Sequence, residues 1–292
     1  MNHLFCFGFG FTASALTDAL DRDDWRVTAT CRTDGACAAL TAAGIAAVPF
    51  DGTAPVDDAA LSGATHVLLS VPPGADGDPV LATCRDLLVR HRETLRWIGY
   101  LSTTGVYGDH QGGWVDETTP LTPVGERGER RVKAEAGWLS LYREYGLPVH
   151  VFRLAGIYGP GRNQLETVCS GKARRVVKPG QVFSRIHVED IAGILQASMA
   201  QLDPGAVYNV CDDEAAPPQD VVVHAAQLLD MPPPPEIAFE AAELSPMGRS
   251  FYGESKRVSN ARIKEQLGIV LKYPTYREGL AHCLAALKAP AA

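Results

Sequence analysis

The sequence predicts an α/β protein: a doubly wound parallel sheet, with a smaller C-terminal lobe. Three observations predict it. Strand-length apolar runs alternate with helical patterns through the first half, most of these runs are continuous, and a glycine-rich turn joins the first run to the first helix. Strands covered on both faces read as unbroken apolar runs, whereas half-exposed strands alternate with polar residues. Helices between such strands are what a parallel sheet needs for its crossovers.

The elements follow in order. LFCF (4–7) reads as the first strand, followed by a helix with Ala13, Leu16, Ala19 and Leu20 on one face. RVTATC (26–31), AAVPF (46–50), HVLLSV (66–71), WIGYLST (97–103) and VHVFRL (149–154) read as further strands. Helices are expected at 36–43, 79–92 and 128–145, the last stopped by Gly146 with Pro148 breaking the chain before the next strand. Beyond this the pattern loosens. Residues 178–200 read as a loop or short strand leading into a helix, AVYNVCD (206–212) as a strand, and MPPPPEIAF (231–239) as non-helical. No internal repeat is visible, and no tail is expected beyond the last few residues.

Composition bounds the function. A chain of 292 residues, 46% hydrophobic and 21% charged, has ample core for a large domain and a smaller one. A net charge of −7 argues against nucleic-acid partners, and no apolar run is long enough for a membrane helix. The seven cysteines are scattered, odd in number and without C-x-x-C spacing. Neither a disulfide framework nor a zinc or other metal site is therefore expected, and a reducing cytoplasm is. The N-terminus lacks the pattern of a secretory signal.

GFGFTA follows the first strand directly and places Gly8, Gly10 and Ala13 as G-x-G-x-x-A. Gly8 permits a tight turn, Gly10 lets backbone approach a pyrophosphate, and Ala13 lets helix pack closely on strand. With Phe11 and Thr12 at the helix N-terminus, this is the turn of a Rossmann dinucleotide site. The end of the second strand reads Thr30-Cys31-Arg32-Thr33, with no acid before Asp34. An NAD site places a carboxylate there for the ribose hydroxyl, and an arginine accommodates the 2′-phosphate of NADP. Arg32 therefore favours NADP over NAD. Asp51 is placed to meet the adenine, and Ser70, Val71 and Pro72 to line the cofactor.

At this point the chain resembles the extended short-chain dehydrogenases/reductases, the NAD-dependent epimerase/dehydratase group. The motifs are the glycine turn, LSTTGVYGD (101–109), FRLAGIYGPGR (152–162), SRIHVEDIA (184–192) and VYNVCDD (207–213), with SNARIKEQLGIVLKYPTYREGL (259–280) closing the series. The resemblance implies a Rossmann domain at 1–155 plus about 181–210. It also implies a small substrate-binding lobe at about 156–180 and 211–292. Thr103 stands where the family holds the reacting oxygen.

The departures are as informative. The family expects Tyr-x-x-x-Lys, with an acid four residues beyond the lysine. Alignment on Glu135 puts Arg131 at the lysine and Arg127 at the tyrosine; shifting to Lys133 puts Glu129 at the tyrosine. An arginine stays protonated, so it cannot relay the proton. It can still hold the nicotinamide ribose (Arg131) or clamp an anion or polarise a carbonyl (Arg127). These features are similar to the atypical members of the superfamily.

If chemistry persists, a relocated acid or water supplies the proton. Tyr107 is the nearest candidate, with packing in the V-Y-G turn as the plainer reading; Tyr158 reads as structural, and His187 as a structural partner of Asp190. The basic run GKARRVVK (171–178), with Arg175, and then Arg185 and Tyr252 are substrate candidates, a solvated basic face being the alternative. The expected protein is an NADP-binding oxidoreductase or epimerase acting on a small anionic carbonyl or hydroxyl compound, nucleotide-sugars being one such class. The rival is a non-catalytic NADP-binding regulator. Trp138, Leu139 and Leu141 are a candidate homodimer face.

Overall fold

A computed structural model describes residues 1–289; the last few residues, where a tail was expected, lie outside the described residues. The described chain forms two compact units, one of residues 1–103, 125–153 and 191–208, the other of residues 104–124, 154–190 and 209–289.

The central sheet has seven strands: β1 (Asn2–Phe7), β2 (Trp25–Cys31), β3 (Ala46–Pro49), β4 (His66–Leu69), β5 (Trp97–Thr103), β6 (Val149–Leu154) and β7 (Val207–Val210). Their spatial order is β7-β6-β5-β4-β1-β2-β3. The pairs β1–β2, β2–β3, β1–β4 and β4–β5 are parallel, so the loops that follow β1 to β5 all leave from one edge. The strands expected at 97–103 and 149–154 span those residues, and the others shift by a residue or two.

Helices α1 (Phe11–Ala19), α2 (Asp34–Ala42), α3 (Pro79–Arg90), α4 (Gly125–Tyr145) and α5 (Val188–Ala200) accompany the sheet. Asp78 starts α3: its Oδ1 accepts from the amides of Val80 and Leu81 at 2.9 and 3.1 Å, and Pro79 needs no donor at the first turn. The other carboxylate oxygen accepts from Trp138 Nε1 at 3.0 Å, which ties α3 to α4. α4 ends at Gly146, which adopts φ +70° as a left-handed helix stop. One α4 face buries Ala134, Glu135, Trp138 and Leu141, against a core that includes Phe5, Phe7, Val67, Ile98 and Tyr100.

Trp138 and Leu141 are thus almost fully buried within their own unit, Trp138 stacked on Tyr100. They cannot form the expected dimer face, because the helix spends that stripe on the core.

The second unit is built from short pieces. Arg185–His187 pairs with Gly156–Tyr158, Arg175–Val177 with Glu236–Ala238, and Arg257–Val258 with Trp114–Val115, all parallel. Its core gathers Tyr158, Leu165, Val221, Ala225, Tyr276 and Leu280. Residues 104–124, expected in the first domain, group here for a physical reason. Asp109 Oδ1 accepts from the Ser255 amide at 2.8 Å, Lys256 Nζ donates to Gly108 O at 2.7 Å, and Trp114–Val115 finds its strand partner at 257–258.

A disulfide links Cys31 and Cys37, which corrects the expectation drawn from scattered, odd cysteines. Counting cannot see that α2 begins directly after β2 and turns Cys37 back over Cys31. Their Cα atoms are 5.4 Å apart, within the roughly 4.4–6.8 Å a bridge requires.

Candidate functional site

The glycine turn is laced to its neighbours. The Gly8 amide donates to Thr30 Oγ1 at 2.7 Å, and Ser70 Oγ donates to the carbonyls of Phe7 and Gly8, each at 3.0 Å. Gly8 adopts φ +81°, and a Cβ there would meet Ser70 Oγ at 2.8 Å. Both conformation and space therefore demand glycine. Gly10 is exposed, with nothing within 4 Å of an added Cβ, and α1 starts at it without a side-chain cap. Open space beside an uncapped helix N-terminus suits a pyrophosphate. Phe11 is half-buried and Thr12 buried in that first turn, and Ala13 is fully buried beneath it.

The remaining cofactor candidates follow the ends of neighbouring strands on the same sheet edge: Arg32 after β2, Asp51 after β3, and Ser70, Val71 and Pro72 after β4. Arg32 is exposed, one residue before Thr33, which caps α2 by accepting from the Ala36 amide at 3.2 Å. Asp51 Oδ1 accepts from both the amide and the hydroxyl of Thr53, which hold its carboxyl below the ordinary value. Its side is preset to accept hydrogen bonds.

Thr103 is half-buried at the end of β5. The register of α4 beside it is set by a buried ion pair. Arg153 Nη2 donates to Glu135 Oε2 at 2.8 Å and Nε donates to both oxygens at 3.2 Å, while Ser102 Oγ donates to Oε1 at 2.5 Å. Glu135 is 2% exposed and Arg153 5%. One turn earlier on the same face, Arg131 Nη1 donates to the Leu101 carbonyl at 2.5 Å and approaches the Tyr100 hydroxyl at 3.4 Å. Arg127 lies a further turn back and is exposed. Lys133 and Glu129, the alternative register, are both exposed, as residues about 200° around the helix from Arg131 must be.

Of the candidates beyond this edge, Tyr107 is fully buried and its hydroxyl donates to Asn209 Oδ1 at 2.7 Å. Tyr158 is buried, its hydroxyl 3.4 Å from the Thr275 carbonyl, and burial raises its phenol above the ordinary value. Arg175 pairs with Glu236 at 2.7 Å, and Arg185 Nη1 donates to the carbonyls of Phe183 and Ala216. Tyr252 is half-buried, stacked on Phe239 and edge-on to Phe183.

His187 is not the partner of Asp190. The Asp190 carboxylate accepts from the amides of Lys272 and Tyr273 at 2.7 and 3.1 Å. His187 instead accepts the Glu189 amide on Nδ1 at 3.2 Å, and its Nε2 faces His282 Nδ1 at 3.3 Å. An amide can only donate, so the neutral ring carries its proton on Nε2, pointing at His282. His282 Nε2 in turn lies 3.5 Å from Glu189 Oε1, so His187, Glu189 and His282 bring metal-ligand chemistry into one compact cluster. Burial lowers His187 to about 4.

Sequence reasoning missed Asp78, Arg153 and His282. Asp78 ahead of Pro79 carried a capping signal; the other two act across long sequence separations and carried none.

A parallel sheet of this order, with a left-handed glycine turn at the start of its first crossover, defines a Rossmann fold. The family described as the NAD dependent epimerase/dehydratase family matches residues 79–211. Protein YeeZ of Escherichia coli (strain K12) is 33% identical over 176 residues, which cover 60% of this chain and 58% of YeeZ. A structure described as a functionally unknown conserved protein from Silicibacter pomeroyi DSS is 54% identical over 98% of this chain and 99% of that one, with a TM-score of 0.91. UDP-glucose 4-epimerase from Thermotoga maritima, solved with UDP-glucose, shares the fold over 99% of each chain at 17% identity, with a TM-score of 0.80. The family match thus covers residues 79–211, and the likeness to the 54% identical structure extends over nearly the whole chain. Among the described residues, no helix is long and apolar enough to cross a membrane.

Proposed function

We propose that the protein is an NADP-dependent oxidoreductase or epimerase acting on a small anionic carbonyl or hydroxyl compound, of the kind represented by nucleotide-sugars. The observation that carries this reading is Arg131. Glu135 and Arg153 hold α4 so that the Arg131 guanidinium meets the end of β5, two residues from Thr103. A fixed cation at that point supports a role in holding the nicotinamide ribose, while Thr103 orients the reacting oxygen.

Gly8, Gly10, Phe11 and Thr12 would hold the pyrophosphate, Arg32 the 2′-phosphate and Asp51 the adenine, with Ser70, Val71 and Pro72 against the cofactor. NADP when bound supplies or accepts the hydride. Arg127 polarises or clamps the substrate as a permanent cation. Because the Tyr107 phenol is engaged with Asn209 and buried, we favour water as the carrier of the proton. On the second unit, Arg175, Arg185 and Tyr252 are proposed as groups that recognise the substrate anion.

Calorimetric titration with NADPH and NADH tests the cofactor assignment. NADPH should bind more tightly, and Arg32→Ala should weaken it about 10- to 100-fold, as expected for losing charged hydrogen bonds to phosphate. Failure of both nucleotides to bind would sink the reading. Oxidation of NADPH by a nucleotide-sugar ketone, lost in Arg127→Ala, would establish turnover.

A further inference from the structure

The disulfide stands at a revealing place. Cys31 is the last residue of β2 and Cys37 lies in the first turn and a half of α2. The bridge therefore encloses Arg32, Thr33 and the start of the helix, the turn to which the adenosine end of the cofactor was assigned above. Cys31 is 6% exposed and Cys37 is half-buried, so Cys37 is the more open residue of the two. The remaining cysteines of the first unit, Cys6 and Cys84, are buried away from solvent.

We infer that Cys31 and Cys37 form a reversible thiol–disulfide site that sets the affinity for the 2′-phosphate of NADP through the Arg32 turn. This rests on the assignment of the cofactor to the glycine-turn edge. The oxidant is a small-molecule disulfide of the glutathione class. The Cys37 thiolate attacks one sulfur of that disulfide, a protein–small-molecule bond forms, and one thiolate leaves. The Cys31 thiolate then attacks the Cys37 sulfur, forming the protein disulfide and releasing the second thiolate. Two electrons pass from the cysteine pair to the small disulfide, and the two protein protons end on the two released thiols or in solvent.

The physical effect is preorganisation. Arg32 has a long side chain on an exposed turn, and binding phosphate must immobilise both. In the oxidised protein the covalent bridge has already ordered the backbone of that turn, so less freedom is lost on binding. The local ties of the turn are the Thr33 cap, the Cys37 amide to the Thr33 carbonyl at 2.9 Å and, at its two ends, the Phe50 amide to the Cys31 carbonyl at 2.8 Å and the Thr41 hydroxyl to the Cys37 carbonyl at 3.0 Å. NADH lacks the 2′-phosphate, so its affinity should change little.

The test is NADPH and NADH titration of Cys169→Ser protein, which removes the exposed unpaired thiol, after equilibration with oxidised glutathione or with dithiothreitol. Thiol alkylation and mass measurement on the same samples report the state of the pair. The expected result is that oxidation protects both cysteines and tightens NADPH about fivefold, leaves NADH unchanged, and has no effect once Cys37→Ser is added. Equal NADPH affinity in the two states overturns the inference while leaving the cofactor assignment standing. Two cysteines that stay alkylatable under oxidised glutathione overturn it as well. Absence of NADPH binding in both states overturns the cofactor assignment, and the coupling with it.

Discussion

The two units of this protein are stabilised by different means. The first is a regular sheet whose strands and helices bury a large apolar core, into which polar groups such as Asp78, His66, His150 and the Glu135–Arg153 pair are set. The second has strand pairs of two or three residues, and carboxylates far away in sequence hold its backbone. Asp109 takes the Ser255 amide, and Asp190 takes the amides of Lys272 and Tyr273. Apolar burial is non-directional and tolerates small shifts; a carboxylate that satisfies one particular amide does not. The first unit should therefore fail where a buried polar anchor is broken or charged, and the second where a carboxylate loses the amide it holds.

Acidification should perturb both units most. Burial lowers His66 and His150 in the first unit and His187 in the second to about 4. The unfolded chain takes up these protons first, near the ordinary value of about 6.5. Stability is therefore complete above that pH and is lost as pH falls from about 6.5 to 4, by at most about 3 kcal/mol per histidine. Urea unfolding followed between pH 7 and 4 checks this; a flat profile would refute the buried neutral rings. Trp97 and Trp138 report on the first unit and Trp114 on the second, so separate transitions would sharpen the contrast.

Glu135→Ala comes next. It removes the carboxylate from the buried Arg153 guanidinium, and breaking such a pair costs about 3–5 kcal/mol. The same change should release Arg131 from its position, so NADPH binding is to be measured on whatever folded fraction remains. A loss below about 1 kcal/mol would show that the pair is no anchor.

In the second unit a substitution should help. Asp212 is 3% exposed, and burial pushes its carboxyl up to about 8. A group raised in the folded state stabilises below the unfolded value near 4 and loses that contribution as pH rises to 8. Asp212→Asn should thus raise stability by about 1–3 kcal/mol at pH 7 and leave it unchanged at pH 4. An Asn variant less stable at both pH values would mean that the ionised carboxylate is in use. Smallest in stability is Gly8→Ala, about 1–2 kcal/mol for a left-handed residue with a close approach. Its effect on NADPH affinity should be far larger than its effect on unfolding, because it displaces Ser70 and the turn itself.

What the sequence determined by itself is the layered half of the molecule. Continuous apolar runs, the 3.6-residue pattern of the helices, the Gly146 stop and the G-x-G-x-x-A turn are local signals, each decided by neighbours a few residues away. They sufficed for the strands and for their parallel arrangement. The tertiary structure decided what depends on partners far along the chain. It grouped residues 104–124 with 255–258, turned Trp138 inward, bonded Tyr107 to Asn209 rather than leaving its phenol exposed, and gave His187 to His282 rather than Asp190. The setting of Arg131 lay between the two: spacing puts it on the Glu135 face of its helix, and the buried Glu135–Arg153 pair holds that face inward. The physical reason is common to all of these. Periodicity reports how a segment meets a layer, whereas a hydrogen bond or ion pair is specified only when both partners have been folded into reach.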